Sequence, residues 1–130
     1  MKIYVSASRS RKPMMLNWRE RLRVSGHKVL SEWLDDNDDI DVRAYDRTIK
    51  ARVKRDLIDM QQASCVIVDT EVRDRAYMWI EVGVALERGI PIIGVGTSYG
   101  TLMYLPGIRL VSTIDELLDY LDSEDLEDVF

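Results

Sequence analysis

Two segments decide how this chain is read: Ser64-Cys-Val-Ile-Val-Asp69, and Tyr77-Met-Trp-Ile-Glu-Val-Gly-Val-Ala-Leu-Glu-Arg-Gly89-Ile-Pro-Ile-Ile-Gly-Val-Gly96. Two short β-branched runs, Cys65–Val68 and Ile90–Val95, flank a stretch of helical character that stops at Gly89. Continuous apolar runs of this length suit strands covered on both faces, and a helix between them makes a parallel βαβ unit. Glu81 is the odd residue of that helix. Met78 precedes it by three positions, and Val84 and Ala85 follow at three and four, so a carboxylate sits on the apolar stripe.

Working outward, Lys2–Ser6 reads as a first strand. Pro13 fits the first turn of a helix that runs to about Ser25 and stops at Gly26. Lys28–Leu34 reads as a second strand ending at Trp33. Thr48 is a good N-cap for a helix over about Ile49–Gln62. On it Ile49, Val53, Leu57 and Met60 form an apolar stripe, and Asp56 points the same way. Beyond Val95, a loop leads to an edge strand at Ile108–Val111, and Thr113 caps a last helix, Ile114–Leu121. This alternation predicts a single three-layer α/β/α domain over residues 1–121, with a flavodoxin-like, largely parallel five-stranded sheet in the order 2-1-3-4-5. Residues 122–130 form an acidic tail. Ligands of such sheets bind beyond the strand carboxyl ends, where the strand order reverses. That crevice would be lined by Ser6–Lys12, Trp33–Asp35, Asp69–Arg75 and Gly96–Tyr99.

The chain has 130 residues, 32% charged and 46% hydrophobic, with a net charge of −5 concentrated in Asp35–Asp41 and Asp122–Asp128. That balance argues against a sequence-independent grip on a nucleic acid polymer, which needs clustered cations. One cysteine, Cys65, excludes an internal disulfide, and with His27 the only histidine, no metal site is expected. Without a signal peptide or an 18-residue apolar run, the expected setting is the cytoplasm and no membrane partner is expected.

Glu81 lies near the start of its helix, where amide dipoles favour negative charge; Asp56 lies in the second half of its own, among apolar neighbours. The two carboxyls are therefore expected to differ in acidity, as an ionised nucleophile beside a protonated acid requires. The plain alternative pairs Asp56 with Arg52, and Glu81 with Arg75 or Arg88. Ser6-Ala7-Ser8-Arg9-Ser10-Arg11-Lys12, between a strand and a helix, combines hydroxyls, amides and cations into an anion site, with Arg9 the expected phosphate partner. A solvated basic turn is the plain reading there. Trp33 could stack on a nucleobase, whereas Trp18 and Trp79 read as packing residues. Asp35–Asp41 lacks the glycine and glutamate of a calcium loop.

Four segments, in order, carry a resemblance: Lys2–Arg9, Arg55–Val68, the Glu81-Val-Gly83-Val-Ala85 pattern running on to Gly89 and Pro91, and Tyr104–Ile108. Over about Met1 to Leu121 the chain resembles the nucleoside 2-deoxyribosyltransferase family, which includes 2′-deoxynucleoside 5′-monophosphate N-hydrolases. The resemblance implies that Glu81 attacks C1′ of deoxyribose, that Asp56 acts on the departing base, and that Ser6, Ala7 and Arg9 hold the sugar or a 5′-phosphate. Ser8, Trp33 and Asp69 complete the expected binding set. It further implies a dimer or larger homo-oligomer in which Gly100 and Thr101 complete a neighbouring subunit's site, and no cofactor. Arg75-Ala76-Tyr77-Met78 and Ser64 depart from the family's usual residues. The function expected is cleavage of an N-glycosidic bond of a deoxyribonucleoside or its 5′-monophosphate, with water or another base as acceptor. The alternatives are a non-catalytic nucleotide-binding module and a structural subunit of a larger assembly.

Overall fold

Cys65–Asp69 is buried at all five positions and Ile92–Val95 at all four, as strands covered on both faces must be. They are central strands of the computed structural model, which describes residues 1–37, 45–71, 76–97 and 106–123. In chain order its elements are β1 (Lys2–Ser6), α1 (Lys12–Val24), β2 (Lys28–Val29), α2 (Tyr45–Gln61), β3 (Cys65–Asp69), α3 (Ala76–Glu87), β4 (Ile92–Val95), β5 (Ile108–Val111) and α4 (Ile114–Leu121). The sheet order is β2-β1-β3-β4-β5, and every pairing is parallel. Arg21 of α1 pairs with Asp115 of α4, so those helices share one face. On the other face α2 packs on α3 and β1. The result is the expected three-layer α/β/α, flavodoxin-like domain. No helix among the described residues is long and apolar enough to cross a membrane.

Local signals explain the ends that match. Gly26 takes φ 90° just past α1, a conformation that favours glycine. Thr113 Oγ1 accepts the Glu116 N–H at 3.1 Å, and the Glu116 carboxylate accepts the Ser112 N–H at 2.8 Å, which pins the start of α4.

Two expectations need correction. The second strand covers only Lys28–Val29 rather than Lys28–Leu34. Beyond Leu30, side chains replace the ladder: Ser31 Oγ accepts the Val5 N–H at 2.6 Å, and Trp33 Nε1 donates to the Val5 carbonyl at 2.8 Å. Both backbone groups of Val5 are thereby satisfied, and the chain turns away through a 3₁₀ segment, Glu32–Asp35. The second correction is that α2 begins at Tyr45, so Thr48 lies inside the helix instead of capping it.

Trp33 is 4% exposed, so its ring packs in the core and offers no open face for stacking. Its bond to Val5 makes a prediction. Trp33→Phe leaves a buried carbonyl unpaired and should lower stability by about 1–3 kcal/mol, read as a lower urea midpoint at unchanged slope.

Candidate active site

The strand order reverses between β1 and β3, and Ser6 is in register with Val68 at their carboxyl ends. Side chains two apart on a strand share a face, so Tyr4 and Ser6 point together. What they meet is Glu81. Ser6 Oγ donates to Glu81 Oε1 at 3.0 Å, and the Tyr4 phenol, 1% exposed, donates to the same carboxyl. On α3, Met78, Val82 and Ala85 are all buried around it, and Glu81 itself is 8% exposed. Its Oε2 is buried with no hydrogen-bond partner among the described residues. A carboxyl held from one side, with its second oxygen uncommitted, is suited to reacting rather than to structural pairing.

Burial pushes the Glu81 carboxyl up to about 7, against the pull of Tyr4 and Ser6, and the charge of Asp56 adds to the rise. The expectation that the helix dipole would lower it is therefore overturned. A dipole contributes about 0.3–1 kcal/mol near a helix end, whereas burial of a charged group can move a pKa by several units. Tyr4 is likewise held above its ordinary range by burial and by the charges of Glu81 and Asp56. No ion pair to Glu81 is present among the described residues, and Arg75 lies outside them.

Asp56, on α2, is also raised by burial, but Arg55 opposes the rise. Arg55 Nη2 and Nε lie 2.9 and 3.3 Å from Asp56 Oδ1. Arg52, the partner expected one turn earlier, turns elsewhere: its Nη2 donates to the Asn37 carbonyl at 2.7 Å, and its Nε lies 3.6 Å from Asp36 Oδ2. The two carboxyls thus sense one another across the α2–α3 contact. Both are raised by burial, and Asp56 alone of the two has a cation, Arg55, beside it among the described residues.

The loop after β1 distributes its groups differently from expectation. Ser8 caps the short turn Arg9–Arg11, and Ala7 is half-buried. Arg9 Nη2 lies 3.4 Å from Asp36 Oδ2, and Lys12 Nζ donates to the Asp36 carbonyl at 2.5 Å. Asp69 is fully buried; Arg11 Nε and Nη2 meet it at 2.8 and 3.4 Å, and it also accepts the Glu71 N–H at 3.2 Å. Asp69 therefore presents Arg11 rather than its own oxygens. Of the expected binding residues, Ser6 is bonded to Glu81. Gly100 and Thr101 lie outside the described residues. Among those residues no group of three or more His, Cys, Asp or Glu could hold a metal ion.

Sequence reasoning missed Tyr4, Arg55 and Asp36. Tyr4 was legible from its two-residue spacing to Ser6. Arg55 and Asp36 were not, because the acidic run around Asp36 reads as solvated surface.

No family model matches the sequence, and no curated protein matches it significantly. Solved structures do. A 2-deoxyribosyltransferase from the psychrotolerant bacterium Bacillus psychrosaccharolyticus superposes with a TM-score of 0.75 at 18% identity, covering 92% of each chain. A conserved protein of Enterococcus faecalis V583 gives 0.68 at 17% identity over 92% of this chain and 95% of that one. A CMP N-glycosidase of Clostridium botulinum gives 0.61 at 17% identity over 94% and 98%. The fold of this chain is accordingly the one seen in a 2-deoxyribosyltransferase and a CMP N-glycosidase, in line with the nucleoside 2-deoxyribosyltransferase resemblance carried by its sequence motifs.

Proposed function

We propose that this protein cleaves the N-glycosidic bond of a 2′-deoxyribonucleoside or its 5′-monophosphate. The observation that carries this reading is the meeting of Glu81, Tyr4 and Ser6 at the carboxyl end of β1, with Asp56 close enough to shift the acidity of Glu81. The ionised Glu81 oxygen attacks C1′ as the C1′–N bond breaks, and the base departs with a proton from Asp56. Water, or a second base, then gives a proton back to the Asp56 carboxylate as it attacks C1′, and the breaking C1′–O bond frees the Glu81 carboxylate. Tyr4 and Ser6 donate to the carboxylate, which orients its second oxygen and stabilises it as it returns. Homo-oligomer formation and a contribution from Gly100 and Thr101 of a neighbouring copy belong to the same proposal.

The test is a panel of deoxynucleosides and their 5′-monophosphates, followed by chromatography for free base. CMP is a ribonucleotide, so the ribose counterparts belong in the panel. Base release that disappears in Glu81→Ala is the expected result. Tight binding with no release from any member would overturn the enzyme and leave a nucleotide-binding module.

A further inference from the structure

One carboxylate, Asp36, gathers an unusual number of cations. Arg55 forks onto both its oxygens at 2.7 Å each, Arg52 Nε lies at 3.6 Å and Arg9 Nη2 at 3.4 Å. Lys12 holds its carbonyl. The Asp36 side chain is 10% exposed, and these cations hold it below the ordinary carboxylate range in spite of burial. Beside this cluster, over the first turns of α2, lies a depression of about 460 Å³ lined by Arg47, Thr48, Ala51, Arg52 and Arg55. Arg52 is 15% exposed, and its Nη1 is buried without a hydrogen-bond partner among the described residues.

Arg9, Lys12, Arg47, Arg52 and Arg55 bring five cations to this part of a chain whose net charge is −5, against Asp36, Asp56 and, within the field of Arg55, Asp59. Guanidinium forks suit a planar carboxylate, and equally the oxygens of a phosphate. The start of a 17-residue helix adds its own positive end.

We propose that Arg47, Thr48, Arg52 and Arg55 form a phosphomonoester site at which the Asp36 carboxylate stands in for the ligand's anion. A phosphate entering there competes with Asp36 for the same guanidiniums. Because Arg55 also pairs with Asp56, the site abuts the proposed reaction centre, and its occupant is the phosphate of a nucleotide. This rests on the reading above for the choice of nucleotide, though not for the binding of phosphate itself.

Titration calorimetry with inorganic phosphate, at low salt and again at high salt, tests it. The wild type should bind, more weakly as salt rises. Asp36→Asn removes the internal competitor while keeping its shape, and should tighten phosphate about tenfold, while Arg52→Ala should weaken it about tenfold or more. Arg47 is exposed, so Arg47→Ala keeps the test open if the Arg52 variant does not fold, and it too should weaken binding. Unchanged or weaker binding in Asp36→Asn, or binding indifferent to Arg47→Ala, overturns the proposal: the cations then only balance Asp36 and Asp56. Glu81→Gln should bind phosphate like the wild type. Phosphate binding without base release therefore sinks the catalytic reading alone, and base release without phosphate binding sinks this one alone.

Discussion

Glu81→Gln should lose turnover by roughly 10³-fold or more and become more stable at pH 8. The first effect follows from removing the attacking oxygen while keeping the shape of the side chain. The second follows from linkage. The folded carboxyl releases its proton at about 7, whereas an unfolded glutamate does so near 4.3. Between these values the folded state binds more protons, so Glu81 favours the fold below about pH 4.3 and progressively destabilises it as pH rises toward 7. A shift of that size is worth at most about 4 kcal/mol above pH 7. Glutamine carries no such penalty. The gain of the variant should thus be near zero at pH 4 and largest at pH 8, read from urea midpoints at both. A loss of stability at pH 8 would instead mark Glu81 as part of a structural ion pair.

Asp56→Asn should lower base release by about 10²–10⁴-fold for ordinary nucleosides, the range a general acid supplies. Its deficit should shrink for an N7-methylated purine, which leaves as a neutral base without being protonated. Steady-state rates on the two substrates check this. An equal deficit on both would make Asp56 a positioning residue. In the wild type, kcat/KM should rise with pH through about 7 as Glu81 ionises.

The same competition between local and surrounding effects governs what could be read from the chain. β1, β5 and α4 have the predicted bounds because their signals are short-range: an apolar run, an edge strand before a capping threonine, an i to i+3 cap. β2 was predicted too long because Val29, Leu30, Trp33 and Leu34 keep Lys28–Leu34 apolar enough for a strand, with no glycine or proline to stop it. Only the fold brings the Ser31 hydroxyl and the Trp33 indole onto Val5 in place of a backbone partner. Thr48 is a good cap by type, yet the helix already runs through it from Tyr45. At the site, the periodicity placed Glu81 on a buried stripe and Asp56 on a half-buried one. It could not weigh a helix dipole against burial, because the degree of burial at Glu81 depends on Tyr4 and Ser6 from a strand some 75 residues away. Arg9 was the natural phosphate partner in a linear reading. In space Asp36 gathers Arg9 with Arg52 and Arg55 from α2, so the cationic centre shifts toward that helix.

The central claim is that Glu81 bonds to the sugar. Acid-quenched protein taken during turnover, digested and mapped by mass spectrometry, reads this directly. A deoxyribosyl ester, with or without its phosphate, on the peptide containing Glu81 and absent from Glu81→Gln is the predicted result. An adduct on another residue, or undiminished base release by Glu81→Gln, would contradict it.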